Sequence, residues 1–287
     1  MSRIVFLNGR FLPYEEAHLS IMDRGFLFAD GVYEVAAVLG GRLVDNDAHL
    51  ARLERCLGAI RIPNPYDRAE WVRLEAELVS RNALDEGLVY MQVTRGAAER
   101  DFGFPTSATP TVVMFTQPKT ILRSPQAETG VAVVTVPDLR WKRRDIKSVA
   151  LLAQVLAKQA AVEAGVYEAW MVEDGFVTEG SSSTAFIVTA DRRIVTRPLS
   201  EAILPGITRL SVLQLAREEG LAVDERLFSV AEAEGAGEAF ITSASSFVMP
   251  VVAIDGRPIG SGKPGPLARR LRQVYIELAL GGDRRPS

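Results

Sequence analysis

Short apolar runs and turn signals organise the first part of the chain. Runs rich in large or β-branched residues predict strands at residues 4–7, 10–12, 32–39 and 42–44. Asn8-Gly9 and Gly40-Gly41 are the turn signals that join them in pairs. Residues 23–31 contain two glycines and no period, which predicts a loop.

Helical periodicity follows. Asp47 is a candidate N-cap for a helix through Ile60, and Asp67 for a second helix with Trp71 facing inward. Residues 88–94 and 111–115 predict strands, so the pattern up to residue 117 favours an α+β unit. Residues 118–129 carry two prolines and no period, which makes them the best linker candidate.

The second half also mixes strands and helices. Strands are predicted at residues 131–136, 168–172, 176–177, 185–188, 239–241 and 251–254, and helices at 148–163, 207–219 and 266–280. In the helix at 148–163, Leu152, Val155, Leu156 and Gln159 fall at i, i+3, i+4 and i+7, and alanines fill much of the remainder. The whole pattern predicts a mixed α+β or α/β protein.

Composition narrows the class of protein. Lys and Arg number 33 against 36 Asp and Glu, so net charge gives no reason to expect nucleic acid or a membrane surface as partner. No segment has the roughly 20 apolar residues that span a bilayer. The single cysteine, Cys56, excludes an internal disulfide. We therefore expect a cytoplasmic protein.

Four stretches of the sequence carry candidate chemistry. Lys147 precedes the predicted helix at 148–163, and Glu179 ends a predicted hairpin before a run of small hydroxyl residues. Gly206-Ile207-Thr208 opens a predicted helix, where free N–H groups and a partial positive charge suit an anion such as phosphate. Arg52, in the first helix, offers a guanidinium for an anion, although a surface arginine is the plainer interpretation.

Other chemistries fit less well. His18 and His49 lack metal-ligand spacing, so no metal is predicted. No G-x-S-x-G sequence is present, which disfavours a hydrolase triad. The basic run at residues 140–144 is short, and a solvated face or a subunit contact is the favoured interpretation.

A lysine for a Schiff base, a carboxylate for a pyridine nitrogen and a helix N-terminus for a phosphate together suggest pyridoxal 5'-phosphate (PLP). At this point the chain resembles the fold-type IV PLP enzymes, and among them the D-amino-acid aminotransferases. The resemblance covers nearly the whole chain. Its main motifs are Asp23-Arg24-Gly25, residues 30–34, residues 49–53, Gln92 to Gly96, Asp145-Ile146-Lys147-Ser148, residues 178–183 and Gly206 to Arg209.

The resemblance implies a role for each matching residue. Lys147 would bind the cofactor covalently and move the proton between substrate Cα and cofactor. Glu179 would pair with the ring nitrogen, and Leu204 would pack on the ring. Phosphate contacts are implied for Arg52, Gly206, Ile207, Thr208, Ser243 and Ala244. The family normally works as a homodimer, with a smaller N-terminal domain, here residues 1–119, and a larger PLP-binding domain, here 120–287.

Substrate residues match less completely. Tyr33 matches the tyrosine that binds the substrate carboxylate in this family, but the Arg-x-His pair reads Arg100-Asp101-Phe102 here. Ala244 stands where similar enzymes often carry a further hydroxyl for the phosphate. The implied reaction moves the amino group of a D-amino acid to a 2-oxo acid by ping-pong half-reactions.

Several alternatives stay open. Branched-chain aminotransferases typically show Tyr-x-Arg where this chain has Tyr90-Met91-Gln92, which argues against them. The absence of the histidine slightly favours (R)-selective amine transaminases. Aminodeoxychorismate lyase is also an alternative, because it shares the lysine and the glutamate. A non-catalytic protein that binds PLP or an anion, or an interaction module centred on residues 140–144, is the alternative of a different class.

Overall fold

The computed structural model describes residues 2–281 and contains two compact units. The N-terminal unit comprises Met1–Thr120 and Ile146–Ala150, and the C-terminal unit comprises Ile121–Asp145 and Leu151–Ser287. The short segment with Lys147 therefore belongs to the N-terminal unit, although both of its flanks belong to the other. The predicted domains, residues 1–119 and 120–287, differ from this division in assigning Lys147 to the C-terminal part.

The N-terminal unit is an antiparallel sheet with helices packed against it. Its elements are β1 (Ile4–Leu7), β2 (Arg10–Pro13), α1 (Arg24–Phe28), β3 (Gly31–Leu39), β4 (Arg42–Leu43), α2 (Asn46–Ala59), α3 (Arg68–Arg81), β5 (Glu86–Thr94) and β6 (Thr111–Pro118). The strand order is β2-β1-β6-β5-β3-β4. Apolar side chains of α2 and α3, including Leu53, Leu57 and Trp71, share one core with β3, β5 and β6.

Local signals at the helix ends of this unit were partly correct. Asp67 caps α3 as predicted, because its side chain accepts the Glu70 N–H at 2.8 Å. The N-cap of α2 is Asp45 rather than Asp47, and it holds a left-handed backbone without a side-chain cap. The predicted loop at 23–31 contains α1, which Asp23 caps by accepting the Gly25 N–H at 2.8 Å.

The C-terminal unit is a mixed sheet of nine strands with helices. Its elements are α4 (Pro125–Thr129), β7 (Val131–Pro137), α5 (Leu152–Glu163), β8 (Glu168–Glu173), β9 (Phe176–Gly180), β10 (Thr184–Val188), β11 (Ile194–Thr196), α6 (Ile207–Glu218), β12 (Val223–Glu225), α7 (Val230–Glu234), β13 (Glu238–Ser243), β14 (Phe247–Ile254), β15 (Arg257–Pro258) and α8 (Pro266–Ala279). The order is β12-β11-β10-β13-β14-β7-β8-β9, with β15 beside β14. The predicted linker at 118–129 thus contains the helix α4.

The helix α5 differs from its prediction in where it starts. It begins at Leu152 rather than at residue 148, because backbone groups of residues 147–149 pair with β3 instead. Its exposed face carries the large apolar residues Leu152, Val155 and Leu156. The buried face consists of small residues, Ala157 and Ala161, which pack with β7 and β8. Small side chains allow a helix to approach a sheet closely, so the alanine face of α5 packs on the sheet and the face with the larger apolar residues is exposed.

Among the described residues, no helix is both long and apolar enough to cross a membrane.

Candidate active site

Lys147 lies on an extended segment that is held in place by backbone hydrogen bonds. The Tyr33 N–H donates to the Lys147 carbonyl at 3.0 Å, and the Val149 N–H donates to the Gly31 carbonyl at 3.0 Å. The Lys147 N–H in turn donates to the Cys56 sulfur at 3.3 Å. These bonds attach the lysine to β3 and to α2, so its backbone position is fixed on both sides.

The Lys147 side chain lies against an aromatic group. Its Nζ is 4.2 Å from the centre of the Tyr33 ring, and Tyr33 stacks on Tyr90 with the ring centres 5.6 Å apart. The Tyr90 hydroxyl donates to the Gln92 side chain at 2.7 Å. Burial raises the pKa of Tyr90, so this phenol keeps its proton and acts as a hydrogen-bond donor. The structure therefore brings Tyr33 and Lys147 together, as a shared site requires.

Arg52 is buried, so its interpretation as a surface arginine is wrong. Its Nε and Nη2 donate to the two oxygens of Glu34, each at 2.8 Å, and His49 contacts Glu34 Oε2 through Nδ1 at 2.8 Å. Burial alone would raise the pKa of Glu34, but the charge and hydrogen bonds of Arg52 lower it to about 2. A carboxylate that stays ionised holds the plane of the guanidinium in one orientation.

The proposed substrate residues Arg100 and Phe102 lie together in the loop after β5. The Arg100 guanidinium carbon is 5.4 Å from the Phe28 ring centre and 5.9 Å from that of Phe102. Arg24, which is buried, donates to the Asp101 carbonyl at 2.6 Å and so anchors this loop. Phe102 is 79% exposed and has no polar atom to offer a carboxylate.

In the C-terminal unit, Glu179 lies buried near the end of β9. Arg140 Nη1 donates to its Oε1, and the Leu204 N–H lies 3.3 Å and 3.2 Å from the two carboxylate oxygens. Burial raises the pKa of Glu179, and Arg140 opposes this effect. The structure thus places two predicted residues, Glu179 and Leu204, in direct contact.

The basic run at 140–144 is a solvated face only in part, because Trp141 and Lys142 are exposed whereas the side chains of Arg140 and Arg144 are buried. The side chains of Arg140 and Arg144 are 5% and 3% exposed, and both guanidinium groups contact Asp138. Arg144 also donates to both oxygens of Glu173, at 2.9 Å and 2.7 Å. Buried guanidinium groups need anionic partners, and Asp138 and Glu173 supply them.

The N-terminus of α6 has the features expected of an anion site. Gly206 is its N-cap without a side-chain hydrogen bond, and Ile207 and Thr208 form its buried first turn. A Cβ atom on Gly206 would lie 2.9 Å from the Thr184 hydroxyl, so only glycine fits without a shift. Free amides at a helix start bind phosphate through their N–H groups and the helix dipole.

The turn between β13 and β14 supplies further hydroxyl groups. Ser243 is the last residue of β13, and its hydroxyl lies 2.7 Å from that of Ser246. Ala244, in the turn, adds no polar side chain. The hydroxyl of Thr242 is buried without a hydrogen-bond partner. An unpartnered buried hydroxyl is costly, and a bound polar ligand would relieve it.

Comparison with known proteins decides the family. Residues 31–254 match the family model described as amino-transferase class IV. The chain belongs to the class IV aminotransferases. It is 43% identical to a D-alanine aminotransferase of Bacillus licheniformis, with 96% of this chain and 97% of the relative covered. A D-alanine aminotransferase of Staphylococcus aureus (strain N315) is 40% identical, with 95% and 98% covered.

Solved structures agree on the fold of this class IV aminotransferase. A branched-chain aminotransferase of Thermoproteus uzoniensis, solved with norvaline, superposes with a TM-score of 0.87; it is 26% identical, and the match covers 99% of this chain and 97% of that one. The PLP form of a branched-chain amino acid aminotransferase of Thermobaculum terrenum gives a TM-score of 0.86 at 25% identity, with 98% and 95% covered. The prediction of a fold-type IV PLP enzyme is thereby confirmed, and the chain is a PLP-dependent aminotransferase.

The residues of this class IV aminotransferase fit PLP. A buried carboxylate at Glu179, an uncapped helix start at Gly206 and an unpartnered hydroxyl at Thr242 suit a ring nitrogen and a phosphate. In the N-terminal unit, Lys147 supplies the amine and Arg52 an oriented guanidinium. These are the chemical groups that the cofactor requires.

Sequence reasoning missed the residues that support these groups. Glu34 and Asp138 were not assigned a role of their own, and Arg140 was interpreted as part of a solvated face or a subunit contact, although the side chains of all three are buried and charged. Glu168 was also missed; its carboxylate accepts hydrogen bonds from the hydroxyls of Ser181, Ser182 and Ser183 and so orders the turn after Glu179. A charged residue inside an otherwise apolar strand, as Glu34 is in β3, was the available signal.

Proposed function

We propose that this enzyme transfers the amino group of a D-amino acid to a 2-oxo acid such as 2-oxoglutarate or pyruvate, by ping-pong half-reactions. The observation that carries the proposal is the 43% identity, over nearly the full length, to a protein named D-alanine aminotransferase. The branched-chain enzyme of Thermoproteus uzoniensis shares only 26%. Gln92, where branched-chain enzymes typically have arginine, supports the same choice.

The roles follow from the contacts of each residue. PLP supplies an aldehyde for the amino group and a protonated ring that withdraws electrons from the substrate Cα. Lys147 would hold it through Nζ and move the proton at the substrate Cα. Glu179 would keep the ring nitrogen protonated, and Leu204 would pack on the ring. Thus the lysine acts as base and acid, and the glutamate maintains the charge of the ring.

The phosphate would be held by groups that are already oriented. Arg52, fixed by Glu34, would give a planar guanidinium, while Gly206, Ile207 and Thr208 would give the amides and hydroxyl of the α6 start. Ser243 would add a hydroxyl, and Ala244 only its backbone. Each of these donors is held in place within its own unit, so the phosphate would add contacts without reordering them, and the cofactor would stay bound between half-reactions.

The substrate carboxylate would be held by Tyr33 and Arg100. Phe102 adds apolar surface beside Arg100 instead of the donor that histidine would give. We expect Phe102→His to lower the KM for D-alanine several-fold with little change in kcat, because it adds a ground-state contact. An unchanged KM would remove Phe102 from the substrate site.

Lys147→Ala tests the proposal directly. The wild-type protein loaded with PLP should be yellow, its absorption band should shift with D-alanine, and pyruvate should appear with 2-oxoglutarate present. The variant should lose the shift and the turnover. Lys142→Ala removes an exposed lysine of the same region and is the matched control. Wild-type turnover by Lys147→Ala would refute the mechanism, and colour without a shift would favour a PLP-binding protein.

A donor panel tests the substrate class. D-alanine and D-glutamate should react, whereas L-leucine and (R)-1-phenylethylamine should not. Reaction with L-leucine alone would favour a branched-chain activity, and reaction with the amine alone would favour an (R)-selective amine transaminase.

We further propose that the enzyme is a cytoplasmic homodimer, as is normal in its family. Light scattering on the purified protein should give twice the chain mass of 31.3 kDa. A monomeric mass with full activity would contradict the proposal.

A further inference from the structure

A buried chain of charged groups lies behind Glu179 in the C-terminal unit. Asp138, whose side chain is fully buried, accepts two hydrogen bonds from Arg140: Nε to Oδ1 at 2.9 Å and Nη2 to Oδ2 at 2.6 Å. The Thr178 hydroxyl also contacts Asp138 Oδ2, at 2.6 Å. Because Asp138 holds Nε and Nη2 of Arg140, the remaining nitrogen, Nη1, faces Glu179 and donates to it.

We propose that Asp138 and Arg140 are positioning residues that set how strongly Glu179 holds a proton, with Arg140 divided between the two carboxylates. The proposal rests on the function proposed above, in which Glu179 pairs with the ring nitrogen of PLP. Neither residue touches the substrate in this scheme. Both act through Glu179.

The division of Arg140 follows from the hydrogen bonds. Its Nε and Nη2 go to Asp138, and only Nη1 goes to Glu179. One positive charge therefore serves two negative ones. Burial raises the pKa of Glu179, Arg140 opposes that effect, and the Asp138 charge adds to it. For Asp138 the balance is different: burial raises its pKa, but the hydrogen bonds from Arg140 and Thr178 outweigh burial and lower it, so Asp138 stays ionised.

Two more cations face this cluster. Arg144 lies 3.2 Å from Asp138 but also forms two hydrogen bonds with Glu173, which offset its charge. Arg197 interacts electrostatically with Asp138, Glu173 and Glu179, and its Nε and Nη1 have no hydrogen-bond partner. Arg140 is the cation that contacts Glu179 directly, so it is the one that orients this carboxylate.

This arrangement suits the task assigned to Glu179. A carboxylate paired fully with one arginine would be a weak base and would hold the ring-nitrogen proton weakly. A buried carboxylate without a cation would be neutral at neutral pH and could not stabilise a positive ring. Because Arg140 is shared with Asp138, Glu179 is paired with only part of one positive charge and would be a stronger base than a fully paired carboxylate. Glu179 would then hold the ring-nitrogen proton of bound PLP more firmly, which is the role proposed for it above.

Two substitutions should shift the pKa of Glu179 in opposite directions. Asp138→Asn removes a negative charge and releases Arg140 toward Glu179, so the pKa of Glu179 should fall by about one unit. Arg140→Gln removes the cation, so the pKa of Glu179 should rise by about one unit or more. A general loosening of the fold would not produce opposite signs. Arg140→Lys keeps the charge but cannot contact both carboxylates through a planar group, and should fall between wild type and Arg140→Gln.

The titration is read in the full-length chain by NMR, from the side-chain carboxyl carbon of Glu179 and the amide of Leu204, which donates to it. Arg143→Gln is the matched control, because Arg143 lies in the same segment but pairs with Asp145 instead. We expect no shift for this variant. Equal shifts in the same direction for Asp138→Asn and Arg140→Gln, or none, would overturn the inference.

The PLP-loaded enzyme gives a second readout. Asp138→Asn should lower kcat for D-alanine about tenfold and increase the isotope effect of α-deuterated D-alanine, with KM changed less than about twofold. A KM effect without a kcat effect would contradict the inference. Absence of D-alanine turnover in the wild-type enzyme would instead refute the proposed function, and the carboxyl titrations would still decide how Asp138 and Arg140 act on Glu179.

Discussion

Replacing Glu34 by glutamine removes the negative member of a buried ion pair in the N-terminal unit. Glu34 is 2% exposed, and its oxygens accept two hydrogen bonds from Arg52 and contact His49. Glutamine keeps the shape but turns one acceptor oxygen into a donor NH2 group. The Arg52 guanidinium then lies buried beside a neutral amide, with at least one donor facing another donor.

The magnitude follows from the protonation of Glu34. Its pKa lies at about 2 in the folded protein against an ordinary value of 4.5. That difference corresponds to about 3 kcal/mol of folding free energy, because one pKa unit is worth about 1.4 kcal/mol. Removing one partner of a buried pair costs about 3–5 kcal/mol in other proteins, which agrees. For a chain of this size, such a loss should lower Tm by about 6–12 °C.

The pH dependence has a definite sign. Because folding lowers the pKa of Glu34, its stabilisation is complete above pH 4.5 and is lost as the pH falls toward 2. The Tm difference between wild type and Glu34→Gln should therefore be constant from pH 6 to 8 and shrink below pH 4.5.

Thermal unfolding of the cofactor-free chain, followed by circular dichroism, measures the effect. Glu70→Gln is the matched control, since Glu70 pairs with Arg73 on the exposed side of α3 and should show no measurable change. Fluorescence titration with PLP should also show about tenfold weaker binding by Glu34→Gln, because Arg52 loses its fixed orientation. A Tm within about 1 °C of wild type at pH 7 would refute the reasoning.

Three further substitutions test other parts of the fold. Burial raises the pKa of Glu75 to about 7, so Glu75→Gln should raise the free energy of unfolding by up to about 3 kcal/mol at pH 8. This gain in stability appears as the pH rises from 4.5 to 7 and is absent below pH 4.5. Urea unfolding at pH 8 and at pH 4 measures it. Gly96→Ala should lose more than about 2 kcal/mol in the same assay, because its φ is +95° and a Cβ would lie 1.9 Å from the Thr109 carbonyl, whereas Gly103→Ala, with open space around it, should be neutral. Glu168→Ala leaves three serine hydroxyls without their acceptor and should lower stability by about 3 kcal/mol, measured by thermal unfolding; an unchanged Tm would show that water replaces the carboxylate at no cost.

The secondary structure could be predicted well where a local signal and the burial pattern agree. The helix α3 has Asp67 as its cap and Trp71 on its inner face, and both predictions are confirmed. The helix α5 shows the limit. Its periodicity gives two apolar faces, one with Leu152 and one with alanines, and only the distance to the sheet selects the alanine face. Its start also depends on β3, which binds the backbone around Lys147.

The candidate site divides in the same way. Motifs predict roles for Lys147, Glu179 and the start of α6 because these residues lie close in sequence to recognisable turns and predicted helix starts. The charged residues that hold them could not be found so directly. Arg140 has the same local sequence whether it faces solvent or Glu179, and only the folded chain brings Asp138, Arg140 and Glu179 into contact.

The segment Ile146–Ala150 has a consequence for how the protein is made. It belongs to the N-terminal unit, yet the chain must first pass through Ile121–Asp145 of the other unit to reach it. On the ribosome, the first 120 residues emerge well before the segment that bonds to Gly31 and Tyr33. The segment Ile146–Ala150 therefore joins the N-terminal unit only after β7 has been synthesised. Bringing it back to β3 closes the loop formed by Ile121–Asp145, and this closure costs conformational entropy. Lys147 is thus added after the rest of the N-terminal unit has been made.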